Sequence, residues 1–134
     1  MARVTRLRAA GLPVEDDLIA YGDFDRGSGA RAMEQLLSRG AAFDGLFVAS
    51  DLMALDALAV LREHSLRVPQ DVAVVGFDDS VAATQARPAL TTVRQPVEEM
   101  AKALTLTLLD RIGDPDAPIT SRVFPPKLIP RAST

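Results

Sequence analysis

Apolar residues recur along this chain in two alternating rhythms: short β-branched runs, and longer stretches spaced for one face of a helix. The runs at 18–21, 45–49, 72–76 and 90–93 read as strands, and 123–124 and 127–129 as two short extended pieces interrupted by Pro125 and Pro126. Between them, 2–10 reads as a helix stopped by Gly11 and Pro13. Ala30, Met33, Leu36 and Leu37 mark one face of a second helix, with Ser28 a plausible N-cap and Gly40 its exit. A third helix, capped by Ser50 or Asp51, reaches about Glu63. The segment after 72–76 reads as irregular to Pro88. A last helix opens at Pro96 and runs to Gly113 with Val97, Met100, Ala101, Leu104, Leu108 and Ile112 on one face. Alternating strands and helices predict an α/β fold, a mainly parallel sheet flanked by helices with right-handed crossovers.

Two features of this pattern point to function. The run Val-Ala-Val-Val ends abruptly at Gly76-Phe77-Asp78-Asp79, and Gly45 to Asp51 repeats the plan, an apolar strand whose end turns polar. Carboxyl ends of neighbouring parallel strands form the crevice where open α/β sheets hold ligands. The third helix is also apolar on almost every side from Leu52 to Leu61, with only Asp56 as a break. Such a helix must be covered by more than one sheet face, and a second chain is the expected cover.

At 134 residues with 48% hydrophobic content, one core is expected. The absence of cysteine excludes disulfides and zinc thiolates and fits a reducing compartment. No apolar run is long enough to cross a bilayer, and 1–12 has basic residues spread through it instead of a secretion signal. A cytoplasmic chain without membrane contact is expected. A net charge of −3 is the wrong sign for a free-standing nucleic-acid binder, and no DNA-binding motif is present, so direct nucleic-acid binding by this chain alone is not expected.

Several side chains invite chemistry, each with a plainer alternative. Asp78, first out of its strand, suits an orienting carboxylate for a polar ligand, whereas one of Asp78 and Asp79 could instead cap a turn. Phe24 is an aromatic loop residue in a chain with only 4% aromatics; it could stack on a sugar or base, or plug the core. Ser50 could bond a ligand or cap a helix. Asp51 with Asp78 and Asp79 could hold Mg²⁺ for phosphoryl chemistry, although an Asp just before an apolar helix is more often a cap. His64, the sole histidine, has no nucleophile context, and Gly22, Gly27 and Gly29 lack dinucleotide-binding spacing.

Taken in order, Gly22-Asp23-Phe24 with Ser28-Gly29, Phe47 to Leu55, Val68 to Asp79, Pro88 to Pro96 and Leu128 to Thr134 closely resemble the carboxyl half of LacI/GalR-family transcriptional regulators, over nearly the whole chain. The resemblance implies one lobe of a periplasmic-binding-protein-like (type I) effector domain, truncated at its N-terminus. A small sugar-like or nucleoside-like effector would meet Phe24 by stacking, Asp78 by hydrogen bonding, and Ser50 where the family often has asparagine. It further implies a homodimer surface with Leu52 and Leu55 on the apolar helix and Ala82 and Ala86 in the segment 81–87. Asp56 stands where glycine is common.

The resemblance sets residues 1–134 as a single effector-binding lobe without a DNA-binding headpiece, in which 96–112 is a helix made to pack on the missing amino-terminal lobe. No catalytic residue, metal or cofactor is implied. Two alternatives remain beside it: a sugar-binding protein fragment of a transport system, and an Mg²⁺-dependent phosphohydrolase.

Overall fold

In the computed structural model, residues 9–11, 13–25, 27–40, 42–116, 118 and 120–134 are described. The expected first helix lies almost wholly outside them. Two parallel strands, β1 (Gly45–Phe47) and β2 (Ala73–Val75), form the centre, with Leu46 beside Val74. On the other edge of β2, Val75 bridges Thr91 in parallel, and the amides of Gly76 and Asp78 donate to the carbonyls of Thr91 and Val93 at 2.9 and 3.0 Å. That segment becomes β3 (Thr92–Arg94), which pairs antiparallel with β4 (Lys127–Ile129). β2 carries Val74, fully buried, from the β-branched run 72–76, whereas β1, Gly-Leu-Phe, is exposed at Gly45 and half-buried at Leu46 and Phe47; the antiparallel strand β4 lies at the edge beside the prolines.

Helix α1 (Ser28–Ser38) lies on α2 (Asp51–Glu63), and the core is built from Met33, Leu36, Ala54, Ala57, Leu58, Leu61, Val74 and Leu90. The helices approach so closely at Gly29 that an added Cβ would overlap the backbone of Met53, so only glycine fits there. α1 ends on Arg39, followed by Gly40 at φ 68°, the left-handed exit expected of that glycine. A short α3 (Val81–Gln85) packs on α2, and α4 (Val97–Gly113) begins after Pro96.

Four expectations about elements need correction. Residues 18–21 form no strand: a 3₁₀ turn, Asp16–Leu18, stands there, and the Arg39 guanidinium takes the carbonyls of Asp17 and Ile19 at 3.1 and 2.7 Å, acceptors a ladder would have used. Val123 is 92% exposed and 123–124 is not a strand. Ser28 is the first residue of α1, not its cap; Gly27, at φ 82°, holds that position. The stretch read as irregular contains α3.

The fully apolar look of α2 is also explained differently. Met53, Ala54, Ala57, Leu58, Val60 and Leu61 are buried in this chain's own core, and Asp56, the polar break, accepts the Gly27 amide at 2.8 Å. Leu52, 58% exposed, and the partly buried Leu55 and Ala59 remain on an outer stripe. Ala86, expected on the outer surface, is 5% exposed within the core, because α3 ends there and the chain turns inward toward Leu90.

Candidate functional site

Ser50 leaves the end of β1 in extended conformation, and its hydroxyl accepts the Met53 amide at 3.3 Å, which starts α2. Asp51 is therefore not the cap. Its amide donates to the Phe77 carbonyl at 2.8 Å, tying the tip of β1 to the tip of β2. The loop 22–25 lies against the same helix turn, since a Cβ on Gly22 would meet the Met53 thioether, with Sδ at 3.3 Å. Three segments far apart in sequence thus gather around the first turn of α2, carrying Phe24, Ser50 and Asp78.

The backbone is strained at this end. Among the described residues, four non-glycine residues have positive φ, and three of them belong here: Phe24 at 63°, Asp78 at 112° and Asp79 at 54°. Such conformations cost energy and persist where surrounding structure enforces them, often at ligand sites. Phe24 is 64% exposed, which removes its reading as a plug over the core. Asp78 is exposed too, and its carboxylate accepts Gln95 Nε2 at 3.1 Å. Partial desolvation lifts the Asp78 carboxyl above its ordinary value; the Gln95 hydrogen bond opposes this, and the nearby negative charge of Asp51 adds to it. No hydrogen bond or ring contact joins Phe24 to Asp78 among the described residues. They stand around the same helix end, and that is what the structure brings together.

The adjacent aspartates diverge, as neighbours after a strand should. Asp79 turns inward, 6% exposed, to meet the guanidinium groups of Arg94 and Arg131, the latter at 2.6 Å. Burial raises its pKa, but these hydrogen bonds and charges outweigh that and hold it below the usual aspartate range. Asp51 is 1% exposed; Thr92 Oγ1 donates to one oxygen at 2.6 Å and the Ser80 amide to the other at 2.7 Å. Asp51 and Asp79 spend their oxygens on donors inside the fold, and no group of three carboxylates or histidines suited to a metal exists among the described residues. This geometry overturns the phosphohydrolase alternative, which needed Asp51, Asp78 and Asp79 to converge.

Sequence reasoning missed Gln95, Thr92 and the rings of Phe47 and Phe77, which meet edge to face at the strand tips with centroids 6.4 Å apart. Gln95 could have been found by pairing 90–93 with the strand ending at Gly76, which brings its loop beside Asp78. The partners of Asp79 had no local signal. His64 pairs with Glu34 at 3.2 Å across α1 and α2, a link between exposed helix surfaces far from this end.

Residues 2–134 match the family described as periplasmic binding protein-like domain. A curated relative, the HTH-type transcriptional regulator CelR of Thermobifida fusca, is 49% identical over 114 residues, covering 84% of this chain and 34% of its own length. A solved transcriptional regulator CelR–cellobiose complex superimposes with a TM-score of 0.91 at 45% identity, over 97% of this chain and 40% of that one. A sugar-binding LacI-family regulator from Escherichia coli, complexed with phosphate, gives 0.85 at 37% identity over 97% of this chain and 46% of that one. The chain thus spans about a third of the curated relative and less than half of each solved one. With a family match over residues 2–134 and this likeness in sequence and fold, the chain belongs to the periplasmic binding protein-like domain family, among the LacI-family transcriptional regulators.

Proposed function

We propose that this chain is a single effector-binding lobe of a cytoplasmic transcriptional regulator, sensing a small sugar and not catalysing a reaction. The observation that carries this is the gathering of Phe24, Ser50 and Asp78 at one helix end on strained, well-held backbone. A ring and a carboxylate are the two groups a polyhydroxylated ligand needs: an apolar face to stack on and an acceptor for paired hydroxyls. The Ser50 hydroxyl, although it caps α2, still has its own proton to donate. The CelR–cellobiose complex makes a disaccharide the first effector to test; a nucleoside remains the second.

One lobe supplies one wall of such a site. In the solved relative the matched part is 40% of the chain, and we place the opposite wall in the remainder of such a protein. Helix α4 fits this reading. Only Ala103 on it is buried, while Val97, Leu104, Leu108 and Ile112 are 60–70% exposed, an apolar face shaped to meet that second lobe. Homodimerisation would use the outer stripe of α2 and α3, with Leu52, Leu55 and Ala82 beside a shallow depression lined by Leu58, Ala59, Arg62 and Arg87. Effector binding would then shift the balance between lobe arrangements.

The test is an NMR titration of this chain with cellobiose. With one wall, binding should be weak, about millimolar, and shift the amides around Phe24, Ser50 and Asp78. Cellobiose, ribose and adenosine all leaving those amides unmoved would overturn the reading.

A further inference from the structure

We propose that Asp51 is the positioning residue of this site: its buried carboxylate holds the segment 77–80 and so sets where Asp78 stands. The role given to Asp78 rests on the effector-site reading above, whereas the hold itself needs no ligand. Asp51 grips that segment at three points. Its amide donates to the Phe77 carbonyl at 2.8 Å, and its Oδ2 accepts the Ser80 amide at 2.7 Å. Its Oδ1 accepts the Thr92 hydroxyl at 2.6 Å, and Thr92 Oγ1 in turn accepts the Asp79 amide at 3.3 Å. Phe77, Asp79 and Ser80 are all held by this one residue, directly or through Thr92. Asp78 is carried between them, with its own amide on Val93.

The arrangement is costly to build, which argues that it is used. A carboxylate 1% exposed needs its lone pairs satisfied, and no lysine or arginine among the described residues pairs with Asp51. Neutral donors and the first turn of α2, which favours negative charge, do that work instead. Room for the carboxylate comes from Gly76: a Cβ there would overlap Asp51 Oδ1 and stand 2.7 Å from Leu90 Cδ2. Capping of α2 does not explain Asp51, since Ser50 performs it. The left-handed conformations of Asp78 and Asp79 need an enforcing neighbour, and this hold provides one.

Amide hydrogen exchange by NMR on the full chain tests this with Asp51→Ala, Asp51→Asn, Thr92→Val and Thr92→Ser. Asp51→Ala should lower protection at Ser80 at least about tenfold beyond any loss at Val74 and Leu61, the scale of a lost charge-assisted hydrogen bond. Asp51→Asn, which keeps an acceptor for the Ser80 amide, should restore most of it. Thr92→Val should loosen Asp79 while Thr92→Ser does not. Unchanged protection at Ser80 in Asp51→Ala, or equal loss across loop and core, overturns the proposal. If Asp51→Ala does not fold, the Thr92 pair decides, and equal Asp79 protection in both overturns it. Cellobiose should bind Asp51→Ala about tenfold more weakly than the natural chain. A natural chain that ignores cellobiose, ribose and adenosine alike defeats the effector reading, while the exchange data still judge the hold.

Discussion

Arg131 donates to Asp79 at 2.6 Å across 52 positions of sequence, with only 17% and 6% of the two side chains exposed. The same guanidinium also donates to the Leu90 carbonyl at 2.8 Å, so the last residues of the chain are fastened beneath the loop that carries Asp78. Ser133 completes the fastening. Its hydroxyl donates to the Val74 carbonyl at 2.6 Å and accepts the Thr91 amide at 2.8 Å. The carboxyl tail thus acts as a further piece of the sheet.

Removing Arg131 leaves the buried Asp79 carboxylate with Arg94 as its one remaining guanidinium. Arg131→Ala should destabilise the chain by about 2 kcal/mol, the scale of a lost hydrogen bond to a charged group, measured by urea unfolding at neutral pH. Because the Asp79 pKa is held below 3.8, its contribution is fully present above that value and fades as pH falls through the lower folded value. The gap between the natural chain and Asp79→Asn should therefore shrink between pH 5 and pH 3. A gap that stays constant over that interval would refute the assignment.

Asp78 carries the opposite sign. Its folded pKa is raised above 3.8, so the ionised group works against folding, and stability from this site falls as pH rises from the unfolded value through the raised one. Asp78→Asn should leave the thermal midpoint at pH 7 unchanged or slightly higher. The same change should weaken sugar binding about tenfold or more, the scale of a lost hydrogen bond to a charged group. Stability kept at the expense of binding marks a functional carboxylate. A lower midpoint with unaltered binding would show that Asp78 serves the fold.

Helix α4 sets a third expectation, about association. Val97, Leu104, Leu108 and Ile112 offer a continuous apolar face, and burying a leucine is worth about 1.5–3 kcal/mol. This chain on its own should self-associate as its concentration rises. Leu104→Gln with Leu108→Gln should reduce that association in sedimentation velocity without lowering helicity, because neither leucine is buried in the chain. Identical sedimentation of the two proteins would show that α4 is not the sticky face.

Local chemistry made much of this protein legible. The hydroxyl cap before α2, the glycine exit of α1, the proline opening of α4 and the short apolar runs that became β1 and β2 each act over a few residues. Their outcome was therefore decided by neighbours along the chain. The strand-end carboxylates at Asp78 and Asp79 were legible for the same reason: a run that stops being apolar has left the core. The ordered motifs likewise sufficed to identify the family.

Tertiary structure alone decided what those residues meet. Asp78 and Asp79 are identical in type and adjacent, yet one faces Gln95 in the open and the other two guanidiniums inside, because Arg131 arrives from the far end of the chain. Asp51 read as a cap or a metal ligand, and proved to be a buried hub, since Thr92 and Ser80 reach it only once β3 lies beside β2. The strand expected at 18–21 gives way to a 3₁₀ turn at Asp16–Leu18 and irregular chain, and Arg39, from the end of α1, takes the Ile19 carbonyl there. Ala86 looked like surface and became core where the chain turns toward Leu90. Each of these outcomes depends on a donor or an apolar wall distant in sequence, and no periodicity within a segment can announce a partner that folding has yet to bring there.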